Sequence, residues 1–353
     1  MIRVGLVGCG HIGTVHAVAL QQLAAADLVD AQLTATYDDD PERATKVARR
    51  HGGEPMTSLD ALLDGVDAVW VCTWTAAHVA AVEAAAAREC PIFCEKPLAP
   101  DLPTAARVAR ALATVPHQVG LVLRSAPVFR RIAQAVASRE FGPVLAAVLR
   151  DDQYFPIQGL YGSTWRSDVA AAGGGTLIEH SIHDLDILRM ILGDPISCAA
   201  HTATRFGYPG IEDTAAVMLT FADGSVAQLS SVWHQVLSRE SSRRLEVFCE
   251  RALLWTEHDY LGPLHIHTSE GERTEEFPPP AWTDQLGIPE VFAKALAQYA
   301  EPTKAFLDHL SSGSPSESPG PTAADALAAH RLVDCAYRSA GAAGTPISTL
   351  PAV

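Results

Sequence analysis

Three stretches of this chain hold residue types whose spacing suits chemistry. The first is Gly8-Cys9-Gly10-His11-Ile12-Gly13, a G-x-G-x-x-G run directly after the apolar segment Ile2–Val7. In a strand–turn–helix reading, the first glycine permits the tight turn and the second lets backbone approach a pyrophosphate. The third lets helix and strand pack closely. Phosphates then sit at a helix N-terminus, where unpaired N–H groups and the dipole favour negative charge. The second stretch is Glu95-Lys96-Pro97, after the apolar Ile92–Cys94. A lysine at a strand tip between apolar neighbours can stay charged and stabilise a developing alkoxide, or share a proton with a neighbour. Taken alone, Lys96 reads equally as a solvated surface lysine. The third holds Glu179 and His183, four residues apart. On one helix that spacing places both side chains on one face. His183 then titrates in the range needed to take a proton from a hydroxyl while hydride leaves the same carbon. Glu179 can orient the substrate or the imidazole. The alternative for His183 is a helix histidine bonded within a domain interface.

The elements that must position these residues follow from apolar periodicity and punctuation. Strands are expected at Ile2–Val7, Gln32–Tyr37, Ala68–Cys72, Ile92–Cys94 and Val119–Leu123. Helices are expected between them, over Ile12–Leu23, Pro41–Arg50, Leu59–Leu63, His78–Arg88 and Leu102–Ala113. Asp40 suits a cap with Pro41 at the first helical position. Alternation of this kind, with near-continuous apolar strands, predicts a doubly wound parallel sheet of the Rossmann type over residues 1–124. Asp38, 25 residues past Gly13, falls at the tip of the second strand. There a carboxylate accepts from adenosine ribose hydroxyls and repels a 2′-phosphate, which favours NAD over NADP. The alternative is that Asp38, Asp39 and Asp40 are turn and cap residues.

From residue 125 the pattern changes to α+β. A helix is expected from Pro127 to about Arg139, a long strand over Val144–Tyr154, and one continuous helix over Thr176–Leu192, stopped by Gly193. Strand-like runs follow at Cys198–Phe206, Ala215–Phe221, Ser225–Val236, Arg244–Cys249 and Leu253–Glu257, with a hairpin turn at Ala222-Asp223-Gly224-Ser225. These predict a mainly antiparallel open sheet in an α+β domain over residues 125–353, whose uncovered face invites pairing with a second subunit. Two helices close the chain, near Pro289–Leu310 and Ala323–Ala340, the last packing back on the N-terminal domain. Ser311–Pro321 between them is Ser/Pro/Gly-rich and reads as a mobile surface loop.

Bulk properties narrow the function classes. The chain has 353 residues, 48% hydrophobic and 19% charged, and 26 basic against 41 acidic side chains give a net charge of −15. That balance argues against a broad nucleic-acid or anionic-membrane surface. A core strand starting at residue 2 leaves no room for a secretory signal, and no apolar run reaches the ~18 residues of a membrane span. The seven cysteines are scattered without C-x-x-C, which reads as buried free thiols in a reducing cytoplasm. His180, His183 and Asp186 do not have the H-E-x-x-H spacing of a zinc site, so no metal is expected. Asp184 and Asp186 read as helix hydrogen-bonding or substrate-edge residues.

Together with Arg124-Ser125-Ala126-Pro127, Gly173-Gly174-Gly175, Glu212-Asp213-Thr214-Ala215 and Tyr337-Arg338-Ser339-Ala340, these motifs resemble the Gfo/Idh/MocA family over nearly the whole chain. The resemblance implies a dehydrogenase that moves hydride between NAD and a secondary alcohol of a sugar, cyclitol or sugar derivative. It implies that Lys96 is catalytic with His183 and Glu179, the family's usual Asp being replaced here by Glu179. Gly8, Gly10, His11, Ile12, Gly13, Asp38, Thr73, Trp74, His78, Glu95 and Lys96 would hold the cofactor. Trp74 stands where similar enzymes usually have Pro; it packs on the cofactor or fills a gap. Arg124, Trp165, Arg166 and His183 would meet substrate, although a structural salt bridge serves either arginine as well. Trp233 and His234 could line the pocket, or Trp233 could be core. Enzymes of similar build also include NAD-dependent glycoside hydrolases, and a non-catalytic NAD-binding sensor is a further reading. Similar enzymes are dimers or tetramers, so a homo-dimer or homo-tetramer is expected.

Overall fold

A computed structural model describes residues 1–159, 161–313 and 320–349. Within them the chain gathers into two compact units. One holds Met1–Ala99, Pro103–Ser125 and Pro278–Leu327; the other holds Pro100–Leu102, Ala126–Phe277 and Ala328–Val353.

The first unit is built on six parallel strands: β1 (Ile2–Val7), β2 (Ala31–Tyr37), β3 (Glu54–Pro55), β4 (Ala68–Val71), β5 (Ile92–Cys94) and β6 (His117–Val119), in the order β3-β2-β1-β4-β5-β6. β4 and β5 are buried at every residue, as a strand covered on both faces must be. Helices α1 (His11–Ala25), α2 (Pro41–His51), α3 (Leu59–Leu63), α4 (His78–Ala86) and α5 (Leu102–Leu112) alternate with them. Asp40 caps α2 by accepting from the Glu42 N–H, with Pro41 at the first position. Register places the strand ends in one row: Val7 opposite Tyr37 and Val71, and Val71 opposite Cys94. The residues just beyond that row are therefore neighbours: Gly8, Asp38, Cys72 and Glu95. This row marks the topological switch point, where open α/β sheets bind ligands.

The second unit carries α6 (Pro127–Ala137), α7 (Val169–Ala172), α8 (Thr176–Glu179) and α9 (Ile182–Leu192) beside a nine-stranded sheet. Its strands are β7 (Val144–Tyr154), β8 (Ser197–Ala203), β9 (Thr214–Thr220), β10 (Val226–His234), β11 (Ser242–Cys249), β12 (Ala252–Thr256), β13 (Leu264–Thr268), β14 (Gly271–Glu275) and β15 (Ile347–Ser348). The order is β14-β13-β12-β11-β7-β10-β9-β8-β15, antiparallel throughout except for the parallel pair β7 and β10. The hairpin between β9 and β10 turns at Gly224, whose φ of +89° suits glycine. Helix α10 (Glu290–Ser312) belongs to the first unit, where Ala300 packs on Ala19 and Leu23 of α1. Helix α11 (Ala323–Gly341) follows it.

Two expected elements are corrected. The strand expected over Val119–Leu123 ends at Val119. Gly120 still donates to Cys94 O, but Leu121 N turns back to Val119 O, and Val122–Ser125 is a 3-10 turn. The apolar run continues because the turn is buried too, so hydrophobicity alone did not show where pairing stops.

The single helix expected over Thr176–Leu192 is two segments, broken at His180 and Ser181. Ser181 N reaches back five residues to Thr176 O at 2.8 Å, and a new turn starts at Ile182. The break is held by side chains: Ser181 Oγ donates its one proton to Asp151 Oδ2 (3.2 Å) and lies 2.6 Å from Ser231 Oγ, and His180 Nε2 lies 2.9 Å from Asp151 Oδ2. Polar side chains here outcompete the helical ladder. The strands β3, β13, β14 and β15 were not expected: β3 and β15 have two residues each, β14 (GERTE) has no apolar side chain, and β13 (LHIHT) has only Leu264 and Ile266. Most of the expected Ser/Pro/Gly-rich loop, residues 314–319, lies outside the described residues.

Candidate active site

The glycine loop is shaped by close backbone approach. A Cβ on Gly8, whose φ is +93°, would lie 2.5 Å from the Cys72 carbonyl carbon, and one on Gly13 would lie 2.0 Å from Gly8 O. Nothing lies within 4 Å of the space a Gly10 Cβ would take. Gly10 is also the N-cap of α1, with no side-chain cap and no acidic residue in the first turn. An open backbone cradle at an uncapped helix N-terminus is what a pyrophosphate requires, so the residues fit a dinucleotide. His11 and Ile12 form the next, more exposed step of that turn.

Asp38 does more than wait at a strand tip. Its Oδ2 accepts from Cys9 N (2.7 Å) and its Oδ1 from Asp40 N (2.9 Å). The carboxylate thus ties the glycine loop to the tip of β2, and each oxygen retains a further lone pair for a ribose hydroxyl. Cys9 is buried in the same turn, and burial, helped by the Asp38 charge, pushes its thiol up to about 12. All seven cysteines are free and buried.

The lysine edge is equally built. Lys96 is partly exposed between buried Glu95 and buried Pro97. His78 has Nδ1 2.8 Å from Pro97 O and Nε2 3.2 Å from Thr73 O. A neutral ring donates to one of these carbonyls at a time, so His78 stands between the turn after Lys96 and the turn after β4, where Trp74 stands 36% exposed. Glu95 points inward: Oε1 meets His16 Nε2 at 2.9 Å, and Oε2 accepts from Lys96 N at 3.1 Å. Arg124 Nη1 donates to Asp325 Oδ1 at 2.9 Å, so a salt bridge holds this arginine.

In the second unit, the run Gly173-Gly174-Gly175 threads between fixed groups. A Cβ on Gly174 would lie 2.3 Å from Tyr337 Oη, and one on Gly175 would lie 1.8 Å from Glu212 O. The Glu212 carboxylate accepts from Gly175 N (2.7 Å), Leu177 N (2.9 Å) and Tyr337 Oη (2.9 Å), and so caps α8. Glu179 ends α8, buried, with Oε2 accepting from Arg166 Nε at 3.0 Å. The Arg166 guanidinium lies 4.3 Å from the Trp165 ring centroid, a cation–π contact. Trp165, Arg166 and Glu179 are therefore brought together. His183, also buried, is the second residue of α9. The helix break means that it does not share a regular i, i+4 face with Glu179. Trp233 is core, stacked on Phe155 at 5.0 Å.

Behind the break lies a charge cluster that sequence spacing did not reveal. Buried Arg243 donates through Nε to Asp184 (2.7 Å), through Nη1 to Asp259 (2.9 Å) and through Nη2 to Asp151 (3.3 Å). His180 Nε2 also lies 3.1 Å from Nη2. It can donate to Asp151 or accept from Arg243, but not both at once. The Asp151 and Asp184 carboxyls share the Arg243 guanidinium, and burial raises both of them. Burial, against the pull of Arg243 and with the neighbouring Asp151 adding to it, pushes Asp184 up to about 7. Only the clustering of apolar and acidic residues around 184 and 186 hinted at this; Asp151, Arg243 and Asp259 gave no local signal. Among the described residues no group of three or more His, Cys, Asp and Glu side chains is arranged to hold a metal ion. No helix among them is long and apolar enough to cross a membrane.

Comparison with known proteins places this geometry. A family model described as "Oxidoreductase family, NAD-binding Rossmann fold" matches residues 2–121, and the "GFO/IDH/MocA C-terminal domain" matches residues 129–254. The chain is similar to an inositol 2-dehydrogenase of Rhizobium meliloti, with 30% identity over 96% of each chain. Among solved structures it is similar to GenD2 from gentamicin A biosynthesis in complex with NAD, with 25% identity, a TM-score of 0.80, and 99% and 97% of the two chains covered. Levoglucosan dehydrogenase in complex with NADH and L-sorbose shares the fold, with a TM-score of 0.85 at 21% identity over 99% of each chain.

Proposed function

Since the chain belongs to the Gfo/Idh/MocA family of NAD-binding oxidoreductases, we propose that this dehydrogenase oxidises a secondary alcohol of a sugar, cyclitol or sugar derivative. The observation that carries the reading is the row of strand ends. It sets an open glycine cradle, the Asp38 carboxylate and Lys96 side by side at the switch point of one sheet. The relatives named as inositol dehydrogenases support the substrate class.

NAD, when bound, supplies the redox chemistry by accepting hydride from the carbinol carbon. The chain supplies placement and proton control. Gly8, Gly10 and Gly13 receive the pyrophosphate, with His11 and Ile12 beside it, and Asp38 takes the ribose hydroxyls. Thr73, Trp74 and His78 line the turn beyond β4, and Glu95 supports that edge. A ring nitrogen of His183 takes the hydroxyl proton. The ammonium Nζ of Lys96 stabilises the charge that grows on that oxygen. Glu179, already held by Arg166, positions the reacting groups. With its charge balanced by Glu179, Arg166 on the Trp165 face offers a flat, nearly neutral wall suited to polyol C–H surfaces rather than a free anion trap. The open face of the second unit's sheet supports pairing with a second copy. Met218, Val148, Ala146 and Phe248 share that face by register, and Met218 is 46% and Phe248 38% exposed.

The test replaces Lys96 and His183 singly with Ala and follows NADH formation over a panel of inositols, sugars and sugar acids. Each variant is expected to lose about 100-fold or more in kcat while still binding NAD by calorimetry. Turnover retained in both variants, with NAD binding intact, refutes the assignment.

A further inference from the structure

His16 and Glu95 form a buried pair directly behind Lys96, and the roles above leave His16 unused. His16 lies on α1, 2% exposed, and Glu95 at the tip of β5, 4% exposed. A carboxylate only accepts, so the 2.9 Å contact puts the ring proton of His16 on Nε2. Its Nδ1 is buried without a hydrogen-bond partner. The ring instead stands edge-on to Phe93 and Tyr299, with centroids 5.0 and 5.6 Å away. An aromatic slot therefore holds one tautomer aimed at one carboxylate. Gly120 supplies the room, since a Cβ there would lie 2.6 Å from Glu95 Oε1. The second Glu95 oxygen accepts the Lys96 N–H.

The other titratable groups near Glu95 are the Cys72 and Cys94 thiols, and burial pushes both up, so they remain neutral. Burial alone would also raise the Glu95 carboxyl. The hydrogen bond and electrostatics of His16, then the charge of Lys96, hold it below the ordinary value instead. A charge kept ionised in so dry a place acts strongly on the neighbouring Lys96.

We infer that His16 is a positioning residue: its Nε2–H locks Glu95 as a carboxylate on the Lys96 peptide, and that fixed charge holds Lys96 as an ammonium at the strand tip. The inference rests on the reading that Lys96 acts on the substrate oxygen, and it deepens that reading. Removing the donor frees Glu95 to take up a proton, and Lys96 then loses the Glu95 negative charge beside it.

The chain has only four lysines, Lys46, Lys96, Lys294 and Lys304, so ¹³C-dimethylated protein gives a countable NMR spectrum. Lys96→Arg identifies the Lys96 signal. In the full chain, His16→Met and Glu95→Gln are each expected to lower the Lys96 titration midpoint by about one pH unit or more. His16→Gln, which keeps an N–H donor, is expected to restore it. The alkaline limb of the kcat profile should move by the same amount in His16→Met and return in His16→Gln, which a packing role alone would not produce. A Lys96 midpoint unmoved in both His16→Met and Glu95→Gln overturns the inference, and Glu95→Gln alone decides if His16→Met fails to fold. If Lys96→Ala keeps turnover while the midpoint still moves, the functional reading fails and the coupling stands.

Discussion

Replacing Asp184 with Asn should make the second unit less sensitive to alkaline pH. Burial is the main cause that lifts the folded carboxyl from 3.8 to about 7, with Arg243 opposing it and Asp151 adding to it. A folded value above the unfolded one means that the folded state binds the proton more tightly. The proton-linked stability is then complete below the unfolded value of about 4 and is lost as pH rises through about 7. At about 1.4 kcal/mol per tenfold change in proton affinity, the full gap is worth about 4 kcal/mol. The neighbouring Asp151 charge couples to this titration, so about 4 kcal/mol is the ceiling. Half of that ceiling is still about 2 kcal/mol, or about 4–8 °C in Tm for a unit of this size. Asparagine stays neutral and still accepts from Arg243 Nε, so that hydrogen bond survives. Differential scanning calorimetry at intervals from about pH 5 to about pH 8, on both proteins at one ionic strength, makes the comparison. The wild-type Tm should fall away from that of Asp184→Asn as pH rises through about 7, since all other carboxyls are common to both. Two parallel Tm curves across the range would refute the raised Asp184 carboxyl.

Gly175→Ala should cost about 3 kcal/mol or more in thermal unfolding, because the new methyl would lie 1.8 Å from Glu212 O and 2.6 Å from Glu212 N. Neither is the tip of a flexible side chain, so an unchanged Tm would contradict the tight passage before α8. Met218→Arg and Phe248→Arg, on the open face of the sheet, should lower the mass measured by light scattering to that of a smaller assembly. Unchanged mass in both variants would remove that face as the interface.

What was legible in the sequence was local. Apolar runs ended by Gly, Pro and Asp placed β1, β2 and β5 and α2 within a residue or two, because the forces that end these elements lie in the same few residues. The cap at Asp40 and the turn at Gly224 are of that kind. The glycine loop, Asp38 and Lys96 were legible for the same reason, since each follows directly on a strand. The grip of Asp38 on Cys9 N, and the withdrawal of Glu95 towards His16, needed the register of strands far apart in sequence. The partner of the Arg124 salt bridge was not legible, because Asp325 lies about 200 residues away.

The helix break shows the same limit at the residue that matters most. Leu177, Ile178, Ile182, Leu185, Leu188 and Ile191 are all buried and keep helical spacing, so periodicity alone argues for one helix. The ladder is interrupted by groups on β7 and β10, which pull Ser181 and His180 sideways. His183 consequently sits between two anchors. Ser181, two residues before it, is fixed to Asp151 and Ser231; Asp184, one residue after it, is fixed to Arg243. An unbroken helix would have set the imidazole by helical geometry alone, free to fray or roll with that helix. Here three strands set it through buried hydrogen bonds whose loss would leave charges stranded in the core. A ring that must meet one hydroxyl proton in one orientation gains from being held on both sides, because small displacements of a reacting group cost rate steeply. The cluster around Arg243 is therefore the frame of the proposed proton acceptor, built from residues that carry no chemistry of their own.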